Sequence, residues 1–238
     1  MKLQQLYSKT RQAIDDYHMI EKNDVIGVAI SGGKDSLALL YALHGLRGFY
    51  PMPFTLYAFS VDLGFENTNY GQIRTLCDEL EIPFIRIETQ IGSIIFEKRQ
   101  ETNPCSLCAK LRKGALNEEA LRYGCNKIAY GHHMDDVLTT MLMSMIYEGR
   151  FSTFEPLTHW DKTDLTLIRP LIYLKEAEIT GFINKYHIPI LKSPCPANKQ
   201  TKREYAAELL KQLNSDNPGV KVRLMHAIMQ LPYWQIPQ

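Results

Sequence analysis

Short uninterrupted apolar runs alternate along this chain with longer stretches in which apolar residues recur every three or four positions. The first stretch, Leu3 to Tyr17, brings Leu3, Leu6, Tyr7, Ala13, Ile14 and Tyr17 near helical spacing and predicts an amphipathic helix. The period then changes. Val25 to Ile30 is a continuous apolar run, the pattern of a strand buried on both faces of a parallel sheet, and Ser31-Gly32-Gly33 separates it from an apolar helix over Ser36 to Leu46. The alternation continues with strands at Phe54 to Val61, Pro83 to Ile87 and Lys127 to Tyr130, and helices at Asn69 to Leu80, Leu107 to Tyr123 and Met134 to Tyr147. This order predicts an α/β fold, a doubly wound, mostly parallel sheet whose right-handed crossovers cover both faces.

After Gly149 the pattern gives a strand at Leu165 to Arg169, a helix at Lys175 to Tyr186, a loop punctuated by Pro189, Pro194 and Pro196, and terminal helices from Thr201 and Val220. There is no internal repeat and no low-complexity tract. The expected organisation is an N-terminal helix (1–22), a sheet domain (23–190) and a C-terminal helical extension (191–238) packed on the sheet.

With 45% hydrophobic and 22% charged residues, the composition excludes a wholly disordered chain, a collagen and a small disulfide scaffold. No run approaches the ~18 apolar residues of a membrane span, and Met1-Lys2-Leu3-Gln4-Gln5 has no apolar leader, so a cytoplasmic protein without a membrane partner is expected. Net charge is +1, yet residues 1–90 carry 8 basic and 11 acidic side chains while residues 91–238 carry 19 and 15. Positive charge gathers at Lys98, Arg99, Lys110, Arg112 and Lys113, and at Lys192, Lys199, Lys202 and Arg203. These two stretches also hold three of the five cysteines.

Ligands of doubly wound sheets bind beyond the carboxyl ends of the strands, and three motifs are expected there. The first is Ser31-Gly32-Gly33-Lys34-Asp35-Ser36, between a buried strand and a helix. Glycines permit close backbone approach, a helix N-terminus offers free amides and a positive dipole, and Ser31, Lys34 and Ser36 add donors suited to phosphate. It is not a Walker A loop, which needs Ser or Thr where Asp35 stands.

The second motif is Cys105-Ser106-Leu107-Cys108, with Cys195 far downstream. In a reducing compartment such a pair reads as half a zinc site, a dithiol redox pair, part of an iron-sulfur site, or two incidental cysteines. His132, His133 or His187 could complete a zinc set, whereas three cysteines suit a cubane with one open iron. Cys77 and Cys125 lie in apolar patterns and read as packing residues. The third motif, Gly131-His132-His133-Met134-Asp135-Asp136, could bind magnesium, position a nucleotide or move a proton, although Asp135 and Asp136 also suit any helix N-terminus.

Together these residues resemble the tRNA 2-thiocytidine synthetase (TtcA) group of the TtcA/TtuA sulfurtransferases, within the PP-loop (N-type) ATP pyrophosphatases. The likeness is carried by Ala13 to Glu21, the SGGKDS loop, CSLC followed by Lys110-Leu111-Arg112-Lys113-Gly114, GHHMDD, Arg169-Pro170-Leu171 and Cys195, and runs over almost the whole chain. The resemblance implies a Rossmann-like fold and an ATP-dependent thiolation: a cytidine oxygen of tRNA is adenylated and sulfur then displaces AMP.

It further implies a 4Fe-4S cluster on Cys105, Cys108 and Cys195, and Mg2+ with ATP on Ser31, Gly32, Gly33, Lys34, Asp35, Ser36, Asp62, Gly131 and Asp136. Asp135, Arg112 and Lys34 become the catalytic candidates, Asp135 also as a magnesium-binding carboxylate. Arg99, Lys110, Lys113, Lys199, Lys202 and Arg203 become the tRNA contacts. A sulfur donor such as a cysteine desulfurase and a homodimer complete the expectation. The family often has a second cysteine just after the late one, where this chain has Pro196-Ala197-Asn198, and the zinc fingers of the thiouridine branch are absent. The competing readings are a cluster-free adenylating ligase resembling lysidine synthetase, and a non-catalytic nucleotide- or RNA-binding protein with structural zinc.

Overall fold

The computed structural model describes residues 1–65, 69–98, 104–160, 163–191 and 201–237. Six strands, β1 (Val25–Ala29), β2 (Thr55–Asp62), β3 (Phe84–Glu88), β4 (Lys127–Ala129), β5 (Leu157–Trp160) and β6 (Leu165–Ile168), form one sheet in the order β3-β2-β1-β4-β6-β5. All neighbours are parallel except β5 and β6. In the central register Val28 stands between Ala58 and Ala129, and all three are buried or nearly so. The mostly parallel, doubly wound sheet expected from the alternation is therefore present. Its order reverses between β1 and β4, the switch point at which such sheets bind ligands.

The helices are α1 (Leu3–Asp16), α2 (Lys34–Arg47), α3 (Gly71–Glu79), α4 (Ile91–Ser93, continued by a π-helical turn Ile94–Lys98), α5 (Pro104–Arg122), α6 (Met134–Glu148), α7 (Glu176–Lys185), α8 (Lys202–Asp216) and α9 (Val220–Met229). α2 is buried on nearly every side, through Leu37, Leu39, Leu40, Leu43 and Leu46 among others, which explains why its sequence lacks an amphipathic stripe. α6 stops at Gly149, whose left-handed φ of +63° suits the residue without a Cβ.

Two boundaries differ from the sequence expectation in ways that matter. α2 begins at Lys34 rather than Ser36, so the motif's lysine belongs to the first helical turn. α5 already includes Pro104, ahead of the expected Leu107, which puts Cys105 as well as Cys108 inside the helix. The antiparallel edge strand β5 and the helical stretch 91–98 were not anticipated. β5 is only 4 residues long and mixes Thr158 and His159 with Leu157 and Trp160, too short for a periodic signal.

The C-terminal helices share the main core. Ala206, Leu210, Met225, Ile228 and Trp234 are buried in the same cluster as α1, α2 and α6. The Tyr17 hydroxyl donates to the Trp234 carbonyl (3.2 Å), and the Trp234 indole donates to the Phe154 carbonyl (3.1 Å). Among the described residues, no helix is long and apolar enough to cross a membrane.

Candidate nucleotide site

The loop after β1 is shaped by its own short side chains. Ser36 Oγ donates to the Gly33 carbonyl (2.9 Å) and accepts from the Ser31 amide (3.2 Å), closing the turn that starts α2. Gly32 has φ +79°, and a Cβ there would lie 2.8 Å from the Leu191 side chain, whose own backbone N–H donates to the Gly32 carbonyl (2.9 Å). Glycine is thus required for the backbone conformation and for the neighbour. The result is a tight loop ahead of amides that the helix leaves without intrahelical acceptors, the standard anion-binding geometry.

Across the switch point, β4 runs out through Tyr130 and Gly131 into α6. A Cβ on Gly131 would lie 2.8 Å from the Asp35 carbonyl group, so the two motifs touch backbone to backbone. Asp136 Oδ2 accepts the His133 backbone N–H (3.0 Å), as an N-terminal capping carboxylate does, and His133 Nε2 stands 3.4 Å from Asp136 and 3.5 Å from Asp35.

Between these segments lies a cavity of about 430 Å³. Ile30, Phe59, Val61 and Leu116 give it an apolar wall, while Ser31, Asp35, Ser36, Gly131, Asp136, Arg112 and Arg203 give it a polar one. A cavity with an apolar side that reaches a phosphate-type loop suits a nucleotide. A second cavity of about 650 Å³ adjoins it, with Asp35, Asp136 and Arg203 bordering both, and is lined further by Lys34, Cys105, His133, Asp135, Glu176 and Lys221.

Charges here are extensively paired. The Lys34 ammonium is 3.0 Å from Asp35 and 3.0 Å from Glu176; burial would lower its pKa, but these carboxylates outweigh burial and hold it above the ordinary lysine value. Asp135 is buried, yet its carboxyl is kept below the usual range because Oδ2 accepts the Glu176 amide (2.8 Å) and Oδ1 meets Lys221 Nζ (2.5 Å). Asp136 is likewise held low against burial, by His133 and by Arg203 at 2.5 Å. Burial, with Arg169 nearby, pushes His132 down to about 4, so its imidazole is neutral at physiological pH. Its ring stacks on Tyr130 (13° between planes) and leans on Phe154, over which the buried Arg169 guanidinium lies at 4.8 Å.

The structure places the sequence-predicted residues unevenly. Ser31, Asp35, Ser36, Gly131, Asp136 and Arg112 meet at the first cavity, and Lys34, Asp135 and Cys105 at the second; Gly32 and Gly33 form the loop. Cys105 is exposed and Cys108 half-buried, three positions apart on one face of α5. Asp62 lines neither of these cavities: its carboxylate takes the Arg86 guanidinium and the Gly64 amide (2.9 Å). Lys113 lies over the Trp160 ring (3.5 Å) and Lys202 over Tyr147 (4.7 Å), Lys110 is exposed, and Arg203 turns inward to Asp136. Cys195, Arg99 and Lys199 lie outside the described residues. Sequence reasoning missed Glu176 and Lys221, neither of which sits in a motif. Arg169 it noted only as part of a tripeptide.

Comparison with known proteins gives three findings. The PP-loop domain family profile matches residues 2–213. The tRNA-cytidine(32) 2-sulfurtransferase of Geobacter metallireducens is 37% identical over 91% of this chain and 86% of its own, and that of Legionella pneumophila is 36% identical over 93% and 79%. The solved U34-tRNA thiolase NcsA from Methanococcus maripaludis, with its [4Fe-4S] cluster, superposes with a TM-score of 0.78 at 25% identity, covering 94% of this chain and 76% of that one. An NH3-dependent NAD synthetase from Campylobacter jejuni shares the fold at a TM-score of 0.52 and 16% identity, over 100% and 98% of the two chains.

Proposed function

The chain belongs to the TtcA/TtuA sulfurtransferases, ATP-using enzymes within the PP-loop family, and on that premise we propose that it thiolates a tRNA base, a cytidine at its 2-position. The observation that carries the proposal is the adjacency of the two cavities: the cavity at the PP-loop lies beside a space bordered by Cys105, with Asp35, Asp136 and Arg203 lining both.

In the proposed reaction the base oxygen attacks the α-phosphorus of ATP and pyrophosphate leaves. Sulfur at the sulfide level then adds at the same base carbon, and AMP leaves carrying the original oxygen, so no oxidant or reductant is consumed. The loop amides and Lys34 hold the departing pyrophosphate, and Arg112, which lines the same cavity from α5, neutralises charge gathering on the adenylate. Phe59, Val61 and Leu116 exclude water from the reacting phosphorus. Asp136 with phosphate oxygens would hold Mg2+, which prefers one or two carboxylates plus phosphates over an all-protein cage. Asp135, with both oxygens engaged, instead anchors α6, α7 and α9 to one another at the site.

Cys105 and Cys108 fit two corners of a 4Fe-4S cluster, being about one helical turn apart on α5. Cys195 would supply the third. Among the described residues no group of three or more His, Cys, Asp or Glu is arranged around a common metal position. When bound, such a cluster supplies an open iron at which sulfur can be carried. Exposed Lys110 and its basic neighbours would meet tRNA phosphates, with a splayed loop nucleotide entering the cavity. A homodimeric assembly belongs to the same proposal, as does a cysteine desulfurase as sulfur donor, whose persulfide sulfur is brought to the sulfide level by a two-electron thiol or ferredoxin-type reductant before it enters the step above.

The test is protein purified without oxygen, analysed for iron, sulfide and zinc and incubated with ATP and tRNA. We expect about four irons and four sulfides per chain and AMP plus pyrophosphate formed together with a thiolated cytidine. Cys105→Ala should lose the metal and keep ATP binding; Asp35→Ala should do the reverse. Zinc alone with no turnover would refute the thiolase, and adenylation by metal-free protein would move the lysidine-synthetase-like ligase ahead of it.

A further inference from the structure

The phosphate chain of ATP carries several negative charges, and the loop motif brings a single cation, Lys34, whose Nζ lies 3.0 Å from both Asp35 and Glu176. Among the described residues, Arg112, Lys113 and Arg203 are the Lys and Arg side chains that border the nucleotide cavity itself. Arg112 and Lys113 both come from α5. Lys113 is drawn onto the Trp160 ring. Arg203 stands at the loop side, because its partner Asp136 shares the His133 ring with Asp35 of the loop, at 3.4 and 3.5 Å. It borders both cavities, and its side chain is 47% exposed, so turning it costs little packing.

We propose that Arg203 is a polyphosphate-binding residue of the nucleotide site: with no nucleotide present it rests on Asp136, and when ATP enters it exchanges that carboxylate for the terminal phosphate oxygens. The exchange is feasible because a guanidinium pairs with carboxylate and phosphate by the same planar fork, so one charge-assisted contact replaces another. Asp136 is then released to the divalent cation that accompanies ATP. Only the side chain need move. The start of α8 is fixed by Thr201, whose hydroxyl accepts the Glu204 amide while its own N–H reaches the Glu204 carboxylate (3.2 and 2.7 Å). Further back along the chain, Leu191 is held on the loop itself through the Gly32 carbonyl.

The proposal rests on the ATP-dependent reading above but not on its tRNA substrate, and the two fail separately. Calorimetric titration of the purified holoenzyme with magnesium-ATP, pyrophosphate and AMP tests it. Arg203→Gln should weaken ATP and pyrophosphate by roughly 10–100-fold, the loss expected for a charge-assisted contact, leave AMP unchanged, and be partly rescued by Arg203→Lys. Equal loss of ATP and AMP affinity would make Arg203 a structural clamp on Asp136 and overturn the proposal. So would unchanged ATP affinity with weakened tRNA binding, which would return Arg203 to the RNA face. Wild-type protein that binds ATP but thiolates no tRNA would refute the substrate assignment and leave Arg203 standing.

Discussion

Lys221 reaches across from α9 to a carboxylate 86 positions earlier in the chain, and its removal should be felt through Asp135 rather than through any contact of its own. Asp135 would keep the Glu176 amide but lose its counter-charge while still buried, and an uncompensated buried charge is costly. Because Lys221 is about one-fifth exposed, Lys221→Met should cost about 1–3 kcal/mol at pH 8, discounted from the fully buried case. The sign with pH follows from the depressed Asp135 pKa. In the wild type that stabilisation is complete above the unfolded carboxyl value of about 4 and is lost as pH falls through the folded one. In Lys221→Met burial raises the carboxyl instead, so acidification neutralises the orphaned charge and the deficit narrows. Urea melts at pH 8 and pH 5 in magnesium-free buffer check this; a deficit that widened on acidification would refute the ion-pair account. Lys221 was illegible in the sequence because its partner is set by the packing of α9 on α6. Asp62 shows the same limit: the end of a strand predicts proximity to the ligand crevice, but the pairing of its carboxylate with Arg86 on the neighbouring strand comes from the β2–β3 register.

At the scale of elements, the site depends on the close approach of two strand ends. Gly131 sits against the Asp35 backbone, and a methyl group there meets peptide atoms that cannot step aside. Gly131→Ala should therefore cost about 1–3 kcal/mol by overpacking and abolish ATP binding, because β4 must move away from the amides at the head of α2. Gly124→Ala is the control: its φ of +72° strains an alanine, but nothing lies within 4 Å of the added carbon, so its cost should be paired with undiminished ATP affinity. Thermal melts and nucleotide titrations on both variants check the contrast. The elements themselves were largely readable. Buried parallel strands such as Val25–Ala29 write continuous apolar runs, and the glycine-bearing motifs between strand and helix announced their turns. What escaped were β5, whose pairing with β6 is decided by tertiary contact, and the start of α5, where Pro104 and Cys105 read locally as a turn. That shift places Cys105 on the same helix as Cys108, with Arg112 one turn beyond Cys108 at the nucleotide cavity.

For the whole molecule, the decisive question is whether residues 201–238 form an appendage or part of the foundation. They contribute Arg203 and Lys221 to the site and Trp234 to the core, where the indole is 1% exposed, meets Tyr17 edge-on at 6.2 Å and donates to Phe154. Tyr17 terminates α1, so the two ends of the chain are joined through one aromatic contact while the sheet lies between them in sequence. Trp234→Ala should destabilise the protein by about 3–5 kcal/mol, the usual cost of deleting a buried large aromatic. Hydrogen exchange gives the sharper readout. If the C-terminal helices share one cooperative core with α1, protection should fall together in α1, α8 and α9, and also around Phe154. Loss confined to 201–238 would describe a docked appendage whose unfolding leaves the rest intact. The same coupling predicts how the variant fails: as α8 and α9 loosen, Asp135 and Asp136 lose both counter-cations at once. Nucleotide affinity should then decline in step with C-terminal protection, although Trp234 lies outside both cavities.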